Sequence, residues 1–126
     1  MLGALMQEWI TIKGAANTPL VQLPGDYVDV TYLQDLCFWI DVATASSASS
    51  VLLTFQTAPL NENALFQNLI SSSKDLTTIA GTVTPVAALA QDCVVPPARW
   101  VRWSVTSAAA WSATFRIFVA ANDVRP

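Results

Sequence analysis

Two stretches, Arg99-Trp100-Val101-Arg102-Trp103-Ser104-Val105-Thr106 and Ser112-Ala113-Thr114-Phe115-Arg116-Ile117-Phe118-Val119, alternate side chains with period two. That period belongs to an extended strand with two unlike faces, and no helix can satisfy it. One face, Val101, Trp103, Val105, Ala113, Phe115, Ile117 and Val119, is wholly apolar and reads as core. The other carries Trp100, Arg102, Arg116 and Phe118, two cations among aromatics, and reads as an interface. Joined by the short turn around 107–111, the two strands are expected to form an antiparallel hairpin, with Arg102 and Arg116 nearly opposite each other.

Further strand signals fall at 8–13, 26–33, 37–44, 51–57, 64–69 and 76–80, and no convincing helix lies between them. Pro19, Pro24-Gly25, the serine-rich run 45–50, Pro59, Ser71-Ser72-Ser73, Gly81 and Pro96-Pro97 punctuate the strands as turns do. Alternation points Ile10, Ile12, Val28, Val30, Tyr32, Phe38, Ile40, Val42, Val51, Leu53 and Phe55 inward. The stretch 83–95 is apolar without a clear period, and Pro85, Pro96 and Pro97 place it in a loop or at a sheet edge. The expected fold is all-β: an antiparallel β-sandwich, jelly-roll-like, of about eight strands. One domain over 7–121 is expected, with 1–6 as an N-terminal arm and 122–126 as a C-terminal tail.

The composition narrows what such a domain can do. Charged residues make up only 12% of the 126 and hydrophobic ones 53%, whereas globular chains average roughly 25% charged. The apolar excess is spread through alternating strands, and no run reaches the roughly 20 residues that span a bilayer, so no membrane is expected as partner. A net charge of −3 with six scattered Lys and Arg gives no stripe for phosphates, which argues against direct nucleic-acid binding. The apolar start Met1–Met6 lacks preceding basic residues and is short for a signal sequence, so synthesis in a cytoplasm is expected. Cys37 and Cys93 are then expected as buried small hydrophobes rather than a disulfide.

Histidine is absent, which removes the commonest general base and the commonest transition-metal ligand. Asp26, Asp29, Asp35, Asp41, Glu62, Asp75 and Asp92 show no pairing that would suggest glycoside hydrolysis, and no enzyme activity is expected. Calcium would need only oxygen ligands, but Asp26 and Asp29 are three apart and face opposite ways on a strand. No cofactor or metal is expected. Among the five tryptophans, Trp103 belongs to the core face, while Trp9, Trp39, Trp100 and Trp111 fall on outward positions or in a turn. With Arg102, Arg116 and Phe118 they form the candidate interface set, since exposed Trp and Arg are what binding hot spots use. Carboxylates of a neighbouring chain, or Asp41 and Glu8 from within, are the expected answers to the two arginines.

Phe38-Trp39-Ile40-Asp41-Val42, Ser50 through Phe55-Gln56-Thr57-Ala58-Pro59, then 61–69, and the two alternating stretches above resemble small tailed-phage head decoration, or cement, proteins and related virion β-sandwich proteins. In that family a "v-Q-T-S-P" strand end and an "R-Y-x-R-W-x-v … A-T-F-R-i" pattern recur. The likeness covers residues 7–121, with Ala58 where Ser is usual and Trp100 where Tyr is usual. It implies a structural protein on the capsid exterior, often trimeric, that binds between major capsid subunits and stabilises the head. Two other readings stay open: a carbohydrate-binding module for host glycans, and a tail or neck structural protein.

Overall fold

The computed structural model describes residues 2–89 and 93–123. Met1, Asp92 and 124–126 of the expected tail lie outside the described residues. Ten strands account for most of the described residues: β1 Leu2–Gly14, β2 Leu20–Val21, β3 Val28–Asp29, β4 Leu33–Ser47, β5 Val51–Ala58, β6 Gln67–Asn68, β7 Lys74–Asp75, β8 Val83–Ala88, β9 Trp100–Ser107 and β10 Trp111–Asp123. They form two antiparallel sheets. One runs in the order β1-β10-β4-β8. In the other β9 and β5 are central; β2 and β3 line the outer edge of β9, and β6 and β7 the outer edge of β5.

Taking β2 with β3 and β6 with β7 as broken rows, each sheet has four rows drawn alternately from the two ends of the chain. This is a jelly-roll sandwich, as the punctuation and alternation lead one to expect. The sheets close on a core in which Phe38 of β4 stacks on Phe55 of β5 at 3.8 Å between ring centroids. Trp103 of β9 meets Phe115 of β10 edge-on at 5.2 Å. Val42, Val51, Leu53, Val101, Val105, Ala113 and Ile117 fill the layer between, all essentially inaccessible.

The two most regular strands do not pair with each other. β9 pairs with β5 along its whole length and β10 with β4 and β1, so the expected hairpin is instead a crossing between sheets. The connection, Ala108-Ala109-Ala110, has no Gly, Asn or Asp to adopt the positive φ of a tight hairpin turn. It works as a corner: Ser47 Oγ, at the end of β4, bonds Ala110 O at 3.1 Å and lies 3.2 Å from Ser107 Oγ. The inward residues are those alternation selects, but they face one another across the core.

Other expectations change in detail. The stretch 1–6 is no arm: from Leu2 it is part of β1, pairing Leu2 with Ala121 and Leu5 with Phe118, and Met6 is buried. Register shifts between Leu5 and Ile10 mark bulges that conceal the first half of this strand from a period-two reading, which finds only 8–13. β4 runs through the serine-rich segment to Ser47. The strand expected over 26–33 shrinks to β3, and Tyr32 is 53% exposed rather than inward. The strand expected over 64–69 shrinks to β6, and the one expected over 76–80 is a turn that follows β7, although Leu69 and Leu76 are fully buried. β8 is an edge strand with Pro85 in it, where a missing N–H does least harm. No disulfide joins Cys37 and Cys93.

Candidate functional site

In a solvated antiparallel sheet the outer face should be polar. On the four-stranded sheet one end is, with the rows Thr11, Thr114, Thr44 and Lys13, Ser112, Ser46, but the middle is not. Register places Leu5, Phe118, Trp39 and Pro85 in one row across β1, β10, β4 and β8. A flanking row holds Ala120, Cys37 and Ala87, and the other holds Arg116, Asp41 and Val83. Leu5, Trp9, Val83 and Phe118 are 36–56% exposed, and Pro85 and Ala87 are exposed beside a half-buried Trp39. A shallow hollow of about 360 Å³ opens between Gly3, Leu5, Trp39, Phe118 and Ala120.

The polar pair on this face is locked in place. Arg116 Nε donates to Asp41 Oδ2 at 2.8 Å, and its guanidinium lies 4.8 Å from the Trp9 ring centroid and 4.9 Å from that of Phe118. The β1 bulge between Gln7 and Ile10 brings Trp9 over this stack. The expected answer to Arg116 from within the chain is thus Asp41, whereas the Glu8 carboxylate bonds the Trp9 N–H at 3.0 Å. Burial pushes the Cys37 thiol above its usual range, which disfavours the reactive thiolate.

The remaining expected interface residues are elsewhere. Arg102 and Trp100 lie on the other sheet, so the two arginines are not neighbours. Trp111 is buried, with its indole against Gly14, and belongs to the core. Arg102 is 4% exposed under Tyr27, Asn63 and Phe66, with Gln56 of β5 beside it. Sequence reading missed Leu5, assigned to the arm, and placed Val83, Pro85 and Ala87 in a loop or at a sheet edge, of which β8 is the second. Only pairing brings them onto the face of Trp39 and Phe118, although the apolar character of 83–88 was a signal.

Chemistry is sparse elsewhere. A trough of about 700 Å³ is lined by Asp29, Thr31, Tyr32, Leu33, Pro97 and Arg99. Its acid and its cation bind each other, Arg99 Nε to Asp29 Oδ2 at 3.3 Å. Asp29 also accepts from the Thr31 hydroxyl at 2.5 Å and amide at 3.0 Å; these bonds, then Arg99, hold its carboxyl below the ordinary range. Among the described residues no three of His, Cys, Asp and Glu gather as metal ligands would. What the fold does present is a rigid aromatic plate. Comparison with family models, with curated proteins and with solved structures finds no match to this chain.

Proposed function

We propose that this protein is a structural component of a virion, a capsid decoration protein that binds the outside of a phage head between major capsid subunits. The observation that carries the reading is the outer face of the four-stranded sheet, where Leu5, Trp9, Trp39 and Phe118 surround one pre-paired Arg116–Asp41 couple. An apolar aromatic surface held rigid by its own sheet needs no reordering on binding, which favours a permanent contact. Homo-oligomerisation, with a trimer favoured, would repeat the plate, and several weak contacts would add as avidity against the pressure of packaged DNA.

A glycan platform would also use exposed Trp. Sugar recognition needs polar groups free to meet hydroxyls. Here Arg116 and Asp41 beside the exposed Trp9 engage each other, Glu8 accepts from the Trp9 backbone N–H, Trp100 lies on the opposite sheet, and Trp103 and Trp111 are buried. That arrangement favours protein contact. A tail or neck location differs from this reading only in the partner.

Electron cryomicroscopy of heads mixed with the purified protein tests it. Regular density between capsomers, with the Trp9–Phe118 face toward the shell, is the expected result. Bare shells, or density confined to the tail, would overturn the head assignment.

A further inference from the structure

Arg102 is the one cation of the described residues that the fold buries almost fully, and among those residues no carboxylate pairs with it. Its partners are neutral. Nε donates to Gln56 Oε1 at 2.9 Å, and Nη1 donates to Tyr27 Oη at 3.0 Å and Asn63 Oδ1 at 2.8 Å. The guanidinium rests 3.9 Å from the Phe66 ring centroid and 5.6 Å from that of Tyr27, with Tyr27 and Phe66 packed edge-on at 5.1 Å. Burying a charge without a counter-charge is expensive, and neutral acceptors and ring faces recover only part of it.

The donors around this charge outnumber its acceptors. Nη2 has no hydrogen-bond partner among the described residues, so it is the arm of the guanidinium left to meet a ligand. Tyr27 and Asn63 spend their oxygens on Nη1, which leaves the phenol O–H and the amide Nδ2 as donors beside it. Gln56, by contrast, uses its amide on Asn68 Oδ1 at 3.4 Å. Three donor groups and a full positive charge therefore meet in one place, with no acceptor of their own.

We propose that Arg102, Tyr27 and Asn63 form an oxyanion-binding site on the outer side of the β9–β5 sheet, suited to a carboxylate. A carboxylate offers two oxygens on one carbon, one for Nη2 and one for a neighbouring donor, and charge assistance strengthens each bond. The site lies on the sheet opposite the aromatic plate, so it stands whether or not the plate binds a capsid.

The test is side-chain nitrogen NMR of the arginines in the wild-type protein, titrated with sodium acetate and, separately, sodium phosphate, with sodium chloride holding the ionic strength constant. The expected result is a saturable shift of the Arg102 Nε–H, with Arg99 and Arg116 unmoved. Asn63→Ala, which keeps the guanidinium, should weaken the apparent affinity by about tenfold, the effect of losing one good donor. Saturation by acetate at lower concentration than phosphate supports the carboxylate assignment; the reverse order would overturn that assignment in favour of phosphate. No saturable Arg102 shift with either salt would overturn the site altogether and leave Arg102 as a clamp holding the Tyr27 and Phe66 segments to the sheet.

Discussion

Arg116 and Asp41 stand directly opposite each other in the β10–β4 register and are joined at 2.8 Å, while Trp9 and Phe118 hold the guanidinium by their rings. Asp41 is the less exposed partner, with 18% of its side chain accessible against 35% for Arg116. The pair turns what would be two solvated charges into a flat, internally neutral patch that an apolar partner can cover.

Replacing Arg116 by Met should therefore destabilise the fold modestly, by about 1 kcal/mol, because a half-shielded carboxylate loses a charged partner in a partly screened setting. Urea unfolding of the variant checks this. A loss above about 3 kcal/mol would mean that the pair is a keystone of the sheet rather than a surface device.

Phe55 is fully buried and stacked on Phe38, so Phe55→Ala leaves a cavity at the contact between sheets. We expect a loss of about 3–5 kcal/mol, read as a fall in the urea midpoint with an unchanged slope.

Gly14 faces Trp111 across the β1–β10 ladder, and a Cβ there would overlap the indole. The ring is buried and cannot swing away freely, so Gly14→Ala should cost about 1–3 kcal/mol as overpacking. A thermal melt shows the shift, and a stabilised variant would mean that Trp111 has room to move.

Asp75 governs an acid limb. Burial alone would raise its pKa, but the Thr77 hydroxyl and amide, the Val51 amide and Ser50 all donate to the carboxylate and together bring it below the ordinary value. A carboxyl depressed in the folded state contributes stability that is full above its unfolded pKa, near 3.9, and is lost as pH falls through the folded value. Melting temperature should therefore drop below about pH 4, and Asp75→Asn should be less stable at neutral pH with a flatter acid limb. An equally steep limb in the variant would assign the acid sensitivity to other carboxylates.

Removing residues 1–6 should lower the melting temperature of the whole domain, because the Leu2–Leu5 segment pairs with β10 and Met6 is part of the core. Calorimetry of the shortened chain tests it; unchanged melting would show that this segment is dispensable to the sheet.

Much of this architecture can be read from side-chain alternation. Period two identifies Phe38, Ile40, Val42, Val51, Leu53, Phe55 and the inward residues of β9 and β10, since only burial explains apolar residues on one face of a strand. Pairing is not readable in the same way, because any two amphipathic strands satisfy the same alternation. That is why β9 and β10 look like a hairpin although they sit in different sheets, and why Arg102 and Arg116 look like neighbours. The bulges of β1 break the period and conceal Leu5 and Met6. Trp39, Arg116 and Phe118 are visible as outward residues, whereas the cage around Arg102 draws on Tyr27, Asn63 and Phe66, which begin or follow single 3-10 turns between strands, and alternation does not tell what such turns cover.

The central claim is that the Leu5–Trp9–Trp39–Phe118 face docks on a capsid, and its most direct measurement is sedimentation binding of wild-type protein and of a Trp9→Ser, Phe118→Ser double variant to purified heads. Both residues are more than a third exposed, so the variant should remain folded and unfold cooperatively, losing only the modest support the two rings give Arg116, while its affinity falls by about a hundredfold or more, as for paired hot-spot residues. Undiminished binding by a folded double variant would contradict the account and move the contact to another face.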